Sequence, residues 1–143
     1  MKVRCIATSL TAPQKEQLRI THAVTADHQL IVGSSYLVLG ITFMMPVEPH
    51  GGGVRHEILN DFGNCIGIPA CLFEIEDARC SRYWLVSHKS NGALLIWPEE
   101  FFADYFHDDL SEGERDAVDA YQHVVARMQS EFASNPESGP DNG

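Results

Sequence analysis

The rhythm of apolar and polar positions changes once, near residue 98. Before that point apolar residues come in short runs separated by turn chemistry, as in the strands of an antiparallel sheet. Val3 to Ala7 reads as a short first strand. Residues 8–35 are polar and poorly periodic, apart from Leu30-Ile31-Val32-Gly33, and read as an irregular excursion or a weak strand pair. The strongest run, Tyr36 to Met45, is apolar on both faces and predicts a strand buried on both sides. Gly40 in its middle marks a bulge or bend, and Pro46 ends it.

Pro49-His-Gly-Gly-Gly53 reads as a loop tip, and Val54 to Leu59 alternates as a half-exposed strand does. Asn60 to Asn64 is turn chemistry, and the chain re-enters a strand near Ala70 to Ile75. After a turn at Glu76-Asp77-Ala78, strands are expected at Ser81 to Val86 and at Ala93 to Trp97, joined through His88 to Gly92.

From Pro98 onward the spacing is helical. Proline suits the first position of a helix, and Glu99 and Glu100 suit its first turn. Phe101, Phe102, Tyr105 and Phe106 form an aromatic face that His107-Asp108-Asp109 interrupts. Ser111-Glu112-Gly113-Glu114 then reads as a capping box with Ser111 as N-cap. Val118, Tyr121, Val125, Met128 and Phe132 recur at alternating spacings of three and four, predicting an amphipathic helix of about five turns. Glu112, Arg115, Asp119, Gln122 and His123 fall on or near its other side. The expected fold is α+β, a single domain over residues 1–134. A small, strongly bent antiparallel sheet, an SH3-like half-barrel of five or six strands, fills residues 1–97. Two helices fill residues 98–134, and an acidic, disordered tail follows at 135–143.

Composition localises the charge. The chain has 143 residues, enough to bury a core without disulfides or metals, and a formal net charge of −10. Residues 1–98 hold eight acids and eight bases, so the whole imbalance lies in residues 99–143, where twelve acids face only Arg115 and Arg127. Such a field disfavours nucleic acid and favours a partner with a basic surface. Residues 1–20 lack a continuous apolar stretch and no run approaches membrane-spanning length, so we expect a cytoplasmic protein with no membrane partner. Cys5, Cys65, Cys71 and Cys80 are irregularly spaced and are expected to be reduced, the first three as small buried hydrophobes. Trp84 and Trp97 lie in strand contexts and are expected to anchor the core, each with a partner for its indole N–H.

No chemical signature stands out. There is no pair of cysteines or histidines at zinc-ligand spacing, although His50 and His56 flank the glycine loop and His107 precedes two aspartates. The Gly51-Gly52-Gly53 run lacks the Lys-Ser/Thr step and the following helix of a phosphate loop. Cys65 or Cys71 with a distant histidine has no supporting local pattern. We therefore expect no catalytic residues, no metal and no cofactor. The unusual feature is the junction between the two helices. Asp104, His107, Asp108, Asp109, Glu112 and Glu114 crowd there beside Tyr105 and Phe106. Carboxylates next to rigid aromatics present a negative, partly apolar patch to an Arg/Lys-lined surface.

A further pattern runs from Gly33 to about Leu110. It comprises Gly33-x-x-Tyr36-x-Val38-x-Gly40-Ile41, Asn60-Asp61-x-Gly63, Pro69-Ala-x-Leu-Phe-Glu-Ile75, Arg79-x-Ser81-x-x-Trp84 and Pro98-Glu-Glu-Phe101. This pattern resembles small immunity-type proteins of bacterial polymorphic toxin and contact-dependent competition systems. The resemblance implies a non-enzymatic, stoichiometric inhibitor that occludes a cognate toxin or effector domain. On this reading Asp104, Tyr105, His107, Asp108, Asp109 and Glu112 are the expected partner-binding residues. The alternative is a small enzyme or ligand-binding domain, its pocket between the sheet and the Pro98 helix near His56, Cys71, Tyr83 and His107. An RNA-binding barrel would need a basic stripe, for which Arg55, Arg79, Arg82 and Lys89 are the candidates.

Overall fold

A computed structural model describes residues 1–21 and 30–133. The acidic tail expected at 135–143 lies outside the described residues. The strands are β1 (Lys2–Cys5), β2 (Ser35–Met44), β3 (Gly53–Leu59), β4 (Cys65–Pro69), β5 (Phe73–Asp77), β6 (Trp84–His88) and β7 (Leu94–Pro98). The α-helices are α1 (Ala12–Leu18), α2 (Phe106–Ser111) and α3 (Arg115–Ala133), and 3-10 turns occupy Ala70–Leu72 and Glu99–Phe102. The chain is α+β, with an open antiparallel sheet and helices at its C-terminal end.

The spine of the sheet is β2. One of its edges pairs with β3, which pairs onward with β4. The other edge is shared: β1 pairs with residues 35–37 and β7 with residues 41–43. Outside these lie β5, on β1, and β6, on β7. Where the edge passes from β1 to β7, the register against β3 slips between Val38 and Gly40. Val38 and Leu39 at this bulge are both fully buried, in two different cores. Val38 joins Val3, Cys5, Ile58, Ile68 and Leu72, whereas Leu39 joins Phe101, Phe106, Tyr121, Val124 and Met128. The doubly apolar run in the sequence thus reflects one strand feeding two cores. Gly40 is required sterically, because a Cβ there would lie 2.8 Å from Trp97 Cδ1 and 3.2 Å from the Ile96 carbonyl. The Trp84 indole N–H donates to the Leu39 carbonyl at 2.9 Å, and Trp97 Nε1 donates to Thr42 Oγ1 at 2.9 Å, so both tryptophans have the partners their burial demands.

Several sequence expectations shift. Residues 12–18 form a helix, because Thr11 Oγ1 accepts from Gln14 N at 3.3 Å while Gln14 Oε1 accepts from Thr11 N at 2.9 Å, a full capping box. The strand expected at 70–75 begins only at Phe73, and β4 is a seventh strand where five or six were expected. Its short sequence, Cys-Ile-Gly-Ile-Pro, carries a glycine and a proline that mask it, and as a strand paired only with β3 it tolerates both. The strand expected from Ser81 starts at Trp84, since Ser81 Oγ and Arg82 N both donate to the Glu131 carboxylate of α3 at 2.7 Å and hold a turn there. Cys71 is exposed rather than buried, lying in the 3-10 turn.

The helical third is corrected most. Pro98 opens a 3-10 turn rather than an α-helix. His107, Asp108 and Asp109 lie inside α2 rather than breaking a helix. Ser111 is the last residue of α2, not an N-cap, and its hydroxyl donates to the Asp108 carbonyl at 2.8 Å. The reason is Gly113, at φ 75°: its N–H bonds the Leu110 carbonyl while Glu114 N–H bonds the Asp109 carbonyl, a helix-ending pair of bonds that the capping-box reading overlooked. On α3 the buried stripe is Ala117, Tyr121, Val124, Met128 and Phe132, so Val118 and Val125 flank it half-buried. Polar bonds also pin this helix, through Tyr121 OH to the Gly63 carbonyl at 2.8 Å and a two-bond Arg127–Glu100 fork at 2.8 and 3.0 Å.

Candidate functional site

The helix junction begins with two anchored rings. Phe101 is 1% exposed, and its ring stacks on the buried Phe106 with centroids 4.9 Å apart. Glu100, beside Phe101, is fixed to α3 by the Arg127 fork, and that hydrogen-bonded guanidinium holds its carboxyl pKa below the usual value against the effect of burial. The segment between the two anchors, residues 103–105, is exposed.

Tyr105 occupies the N-cap position of α2 at φ 60°, ψ 20°, and its side chain makes no cap bond. A tyrosine in the left-handed region costs about 1–2 kcal/mol, and this one is 76% exposed, so the small area it buries does no more than offset that cost. Asp104 and Asp108 stand to either side of it, also exposed. His107 is half-buried, its ring 4.9 Å from Trp97, 5.5 Å from Phe101 and 5.4 Å from Phe106.

Four of the six expected partner-binding residues, Asp104, Tyr105, His107 and Asp108, line one concavity of about 290 Å³, with Trp97 and Lys89 also in its wall. Asp109 and Glu112 do not line it. The first is half-buried on α2, and the second caps the C-terminal end of that helix, exposed.

A second concavity, of about 340 Å³, shares Lys89, Trp97 and His107 with the first and opens over Thr42, Glu57 and Leu95 of the sheet. Sequence reading missed this half of the site. In it, Trp97 Nε1 donates to Thr42 Oγ1, and that hydroxyl donates to Glu57 Oε1 at 3.1 Å. Gly67 lies opposite Glu57 across β3 and β4, and a Cβ there would approach Glu57 Oε2 to 3.1 Å. Burial pushes the Glu57 pKa up, opposed by the Thr42 hydrogen bond and by the positive potential of His107 and Arg55. Glu57 forms no ion pair among the described residues. The alternation of β3 marks Glu57 as outward-facing, but the residues around it come from pairing register, which the sequence does not display.

The residues proposed for an enzyme-like pocket are dispersed. His56 is buried in the opposite core, stacked on Phe73 at 5.8 Å, and burial lowers its pKa. Cys71 borders a separate apolar concavity of about 310 Å³ beside Leu18 and Phe43, and partial desolvation of its thiol there raises its pKa. Tyr83 is held between the guanidinium groups of Arg127 and Arg82, 4.2 and 4.9 Å from its ring centre. Two residues of the candidate basic stripe are engaged elsewhere, Arg79 forked onto Asp77 and Arg82 against Tyr83, while Lys89 lines both concavities. Among the described residues no group of three His, Cys, Asp or Glu side chains converges as a metal site requires. No described helix is long and apolar enough to cross a membrane.

The geometry defines an open-sheet α+β protein with an aromatic, acidic junction beside a sheet-floored groove. No protein-family model, curated protein or solved structure matches this chain.

Proposed function

We propose that the protein is a non-enzymatic protein-binding module of the immunity type, which neutralises a cognate toxin or effector domain in the cytoplasm. Its bent sheet serves as an SH3-like half-barrel scaffold, and the acidic helix junction covers a basic active-site surface on the partner. The observation that carries this reading is Tyr105: an exposed aromatic held in a costly backbone conformation between two aspartates, at the mouth of a concavity. Rigid aromatics of this kind, ringed by charge, are the side chains that dominate binding energy at interfaces.

Co-expression with the polypeptide encoded beside its gene tests the proposal. Growth should be rescued and a one-to-one complex recovered. Replacing Asp104, Asp108, Asp109 and Glu112 with lysine should slow association severalfold and flatten its salt dependence. If the charge-reversed protein binds as fast and as tightly as the parent, the acidic patch is not the interface.

A second reading, a small ligand-binding domain or enzyme, is favoured by one observation only: the hydrogen-bond chain from Trp97 through Thr42 ends on a carboxylate inside a concavity. A thermal-shift screen over metals, nucleotides and sugars tests it, and the absence of any shift counts against it.

A further inference from the structure

The groove over the sheet and the junction at α2 share a wall, and their charges are unbalanced. Glu57, Asp104 and Asp108 contribute three carboxylates to the two concavities, against the Lys89 ammonium and the His107 imidazole, which line both. Asp104 and Asp108 are exposed and solvated, whereas Glu57 is half-buried. Thr42 supplies one hydrogen bond to Glu57 Oε1, and among the described residues no cation pairs with the carboxylate. Gly67 keeps the approach to Oε2 clear. His107 and Arg55 add positive potential at Glu57 but form no ion pair with it, and a half-buried carboxylate of this kind gains most from a cation that brings hydrogen-bond donors into contact. The groove also has an apolar floor, from Leu95 and Ala93, and the Trp97 ring in its wall.

We propose that this groove seats one arginine side chain of the partner, its guanidinium on the Glu57 carboxylate and its aliphatic stem over Leu95 and Trp97. The proposal rests on the reading of the protein as a partner-binding module and names the anchor within that interface. Arginine fits better than lysine, because a planar guanidinium bonds a carboxylate in a fork and lies flat on an indole, whereas an ammonium is a point charge. Asp104 and Asp108 then act at long range, drawing the basic surface in, while Glu57 acts at contact. The two roles separate kinetically, since exposed charges govern association and a desolvated pair governs dissociation.

The test needs Glu57→Gln, which keeps an acceptor for the Thr42 hydroxyl, and Lys89→Ala. In a first arm, Nα-acetyl-arginine amide is titrated into the protein and followed by NMR at Trp97 Nε1–H and the Ala93 amide, with Nα-acetyl-glutamine amide as the neutral control. Saturable shifts are expected with the arginine probe only, at least tenfold weaker in Glu57→Gln and two- to fivefold tighter in Lys89→Ala. In a second arm, the complex with the cognate partner should dissociate at least tenfold faster for Glu57→Gln, with its association rate within twofold of the parent. The inference is overturned if Glu57→Gln binds the probe like the parent, if the probe leaves Trp97 unmoved, or if the Glu57→Gln complex is as long-lived as the parent complex. Should the parent chain form no complex with any basic partner, the immunity-type reading fails, and the first arm still decides separately whether the groove is an arginine seat.

Discussion

Replacing Tyr105 with asparagine separates a structural from a recognition role, because the two make opposite demands on stability. At φ 60° the tyrosine bears about 1–2 kcal/mol of backbone strain, most of which asparagine avoids. Against this stands the apolar burial that the tyrosine ring provides. With the residue 76% exposed, about a quarter of its surface is covered, roughly 50 Å², or about 1 kcal/mol at 25 cal/mol/Å². The two effects nearly cancel, so the change in folding free energy should stay within about 0.5 kcal/mol and the melting temperature within about 2 °C. A buried aromatic replaced in this way would instead cost about 3–5 kcal/mol. Binding should behave differently: loss of an interface anchor costs 2 kcal/mol or more, about thirtyfold or greater in Kd. Differential scanning calorimetry and surface plasmon resonance on the same preparation give both numbers. A fall in melting temperature of more than about 6 °C with unchanged affinity would refute the reasoning and make Tyr105 a structural residue.

Three further outcomes follow from the packing and the buried titratable groups. Trp84→Phe removes the donor to the Leu39 carbonyl at the bulge, and leaving that buried acceptor unpaired should cost about 1–3 kcal/mol, read as a lower urea midpoint with an unchanged m-value. Gly40→Ala drives a methyl to 2.8 Å from the Trp97 ring; it should cost about 1–3 kcal/mol and shift the Trp97 indole N–H resonance, and a silent spectrum would show that the ring yields freely. His56 has its pKa lowered by burial, so below the unfolded-state value of about 6.5 the unfolded chain binds more protons and stability falls as pH drops. Chemical denaturation at pH 7.5, 6.5 and 5.5 should show that decline, and His56→Leu should flatten it.

Much of the architecture is legible in the sequence because it depends on local pattern. The doubly apolar run around Gly40, the alternation of β3, the two tryptophans and the periodicity of α3 each reflect a local rule that the fold obeys. Legibility fails where two rules compete for the same residues. Ser111-Glu112-Gly113-Glu114 satisfies the pattern of a helix start, yet Gly113 can adopt the left-handed conformation that closes the preceding helix, and that choice wins. It fails again for β4, whose glycine and proline suit an edge and would be out of place in a central strand. The acidic junction is visible as a run of carboxylates next to aromatics. Its neighbour Glu57 is not, because the residues that surround it, Thr42, Gly67, Trp97 and His107, are separated in sequence and meet only through strand register and the return of the chain after β7.

Trp97 explains why these two halves behave as one surface. It is the last residue but one of β7, where its backbone pairs with Leu85 of β6, while its ring is held by Thr42 on the sheet side and by His107, Phe101 and Phe102 on the helix side. One ring thus joins the 3-10 turn and the start of α2 to the Thr42–Glu57 pair. Rigid placement of this kind matters for recognition, since ordering a flexible anchor costs about 0.5–1.5 kcal/mol per side chain at the moment of binding. The stack settles that ordering during folding. An exposed tyrosine and solvated aspartates alone would make a sticky but unselective patch. Beside a groove whose carboxylate is set by the sheet, they have the chemistry that the proposed selection of a basic partner with a protruding arginine requires.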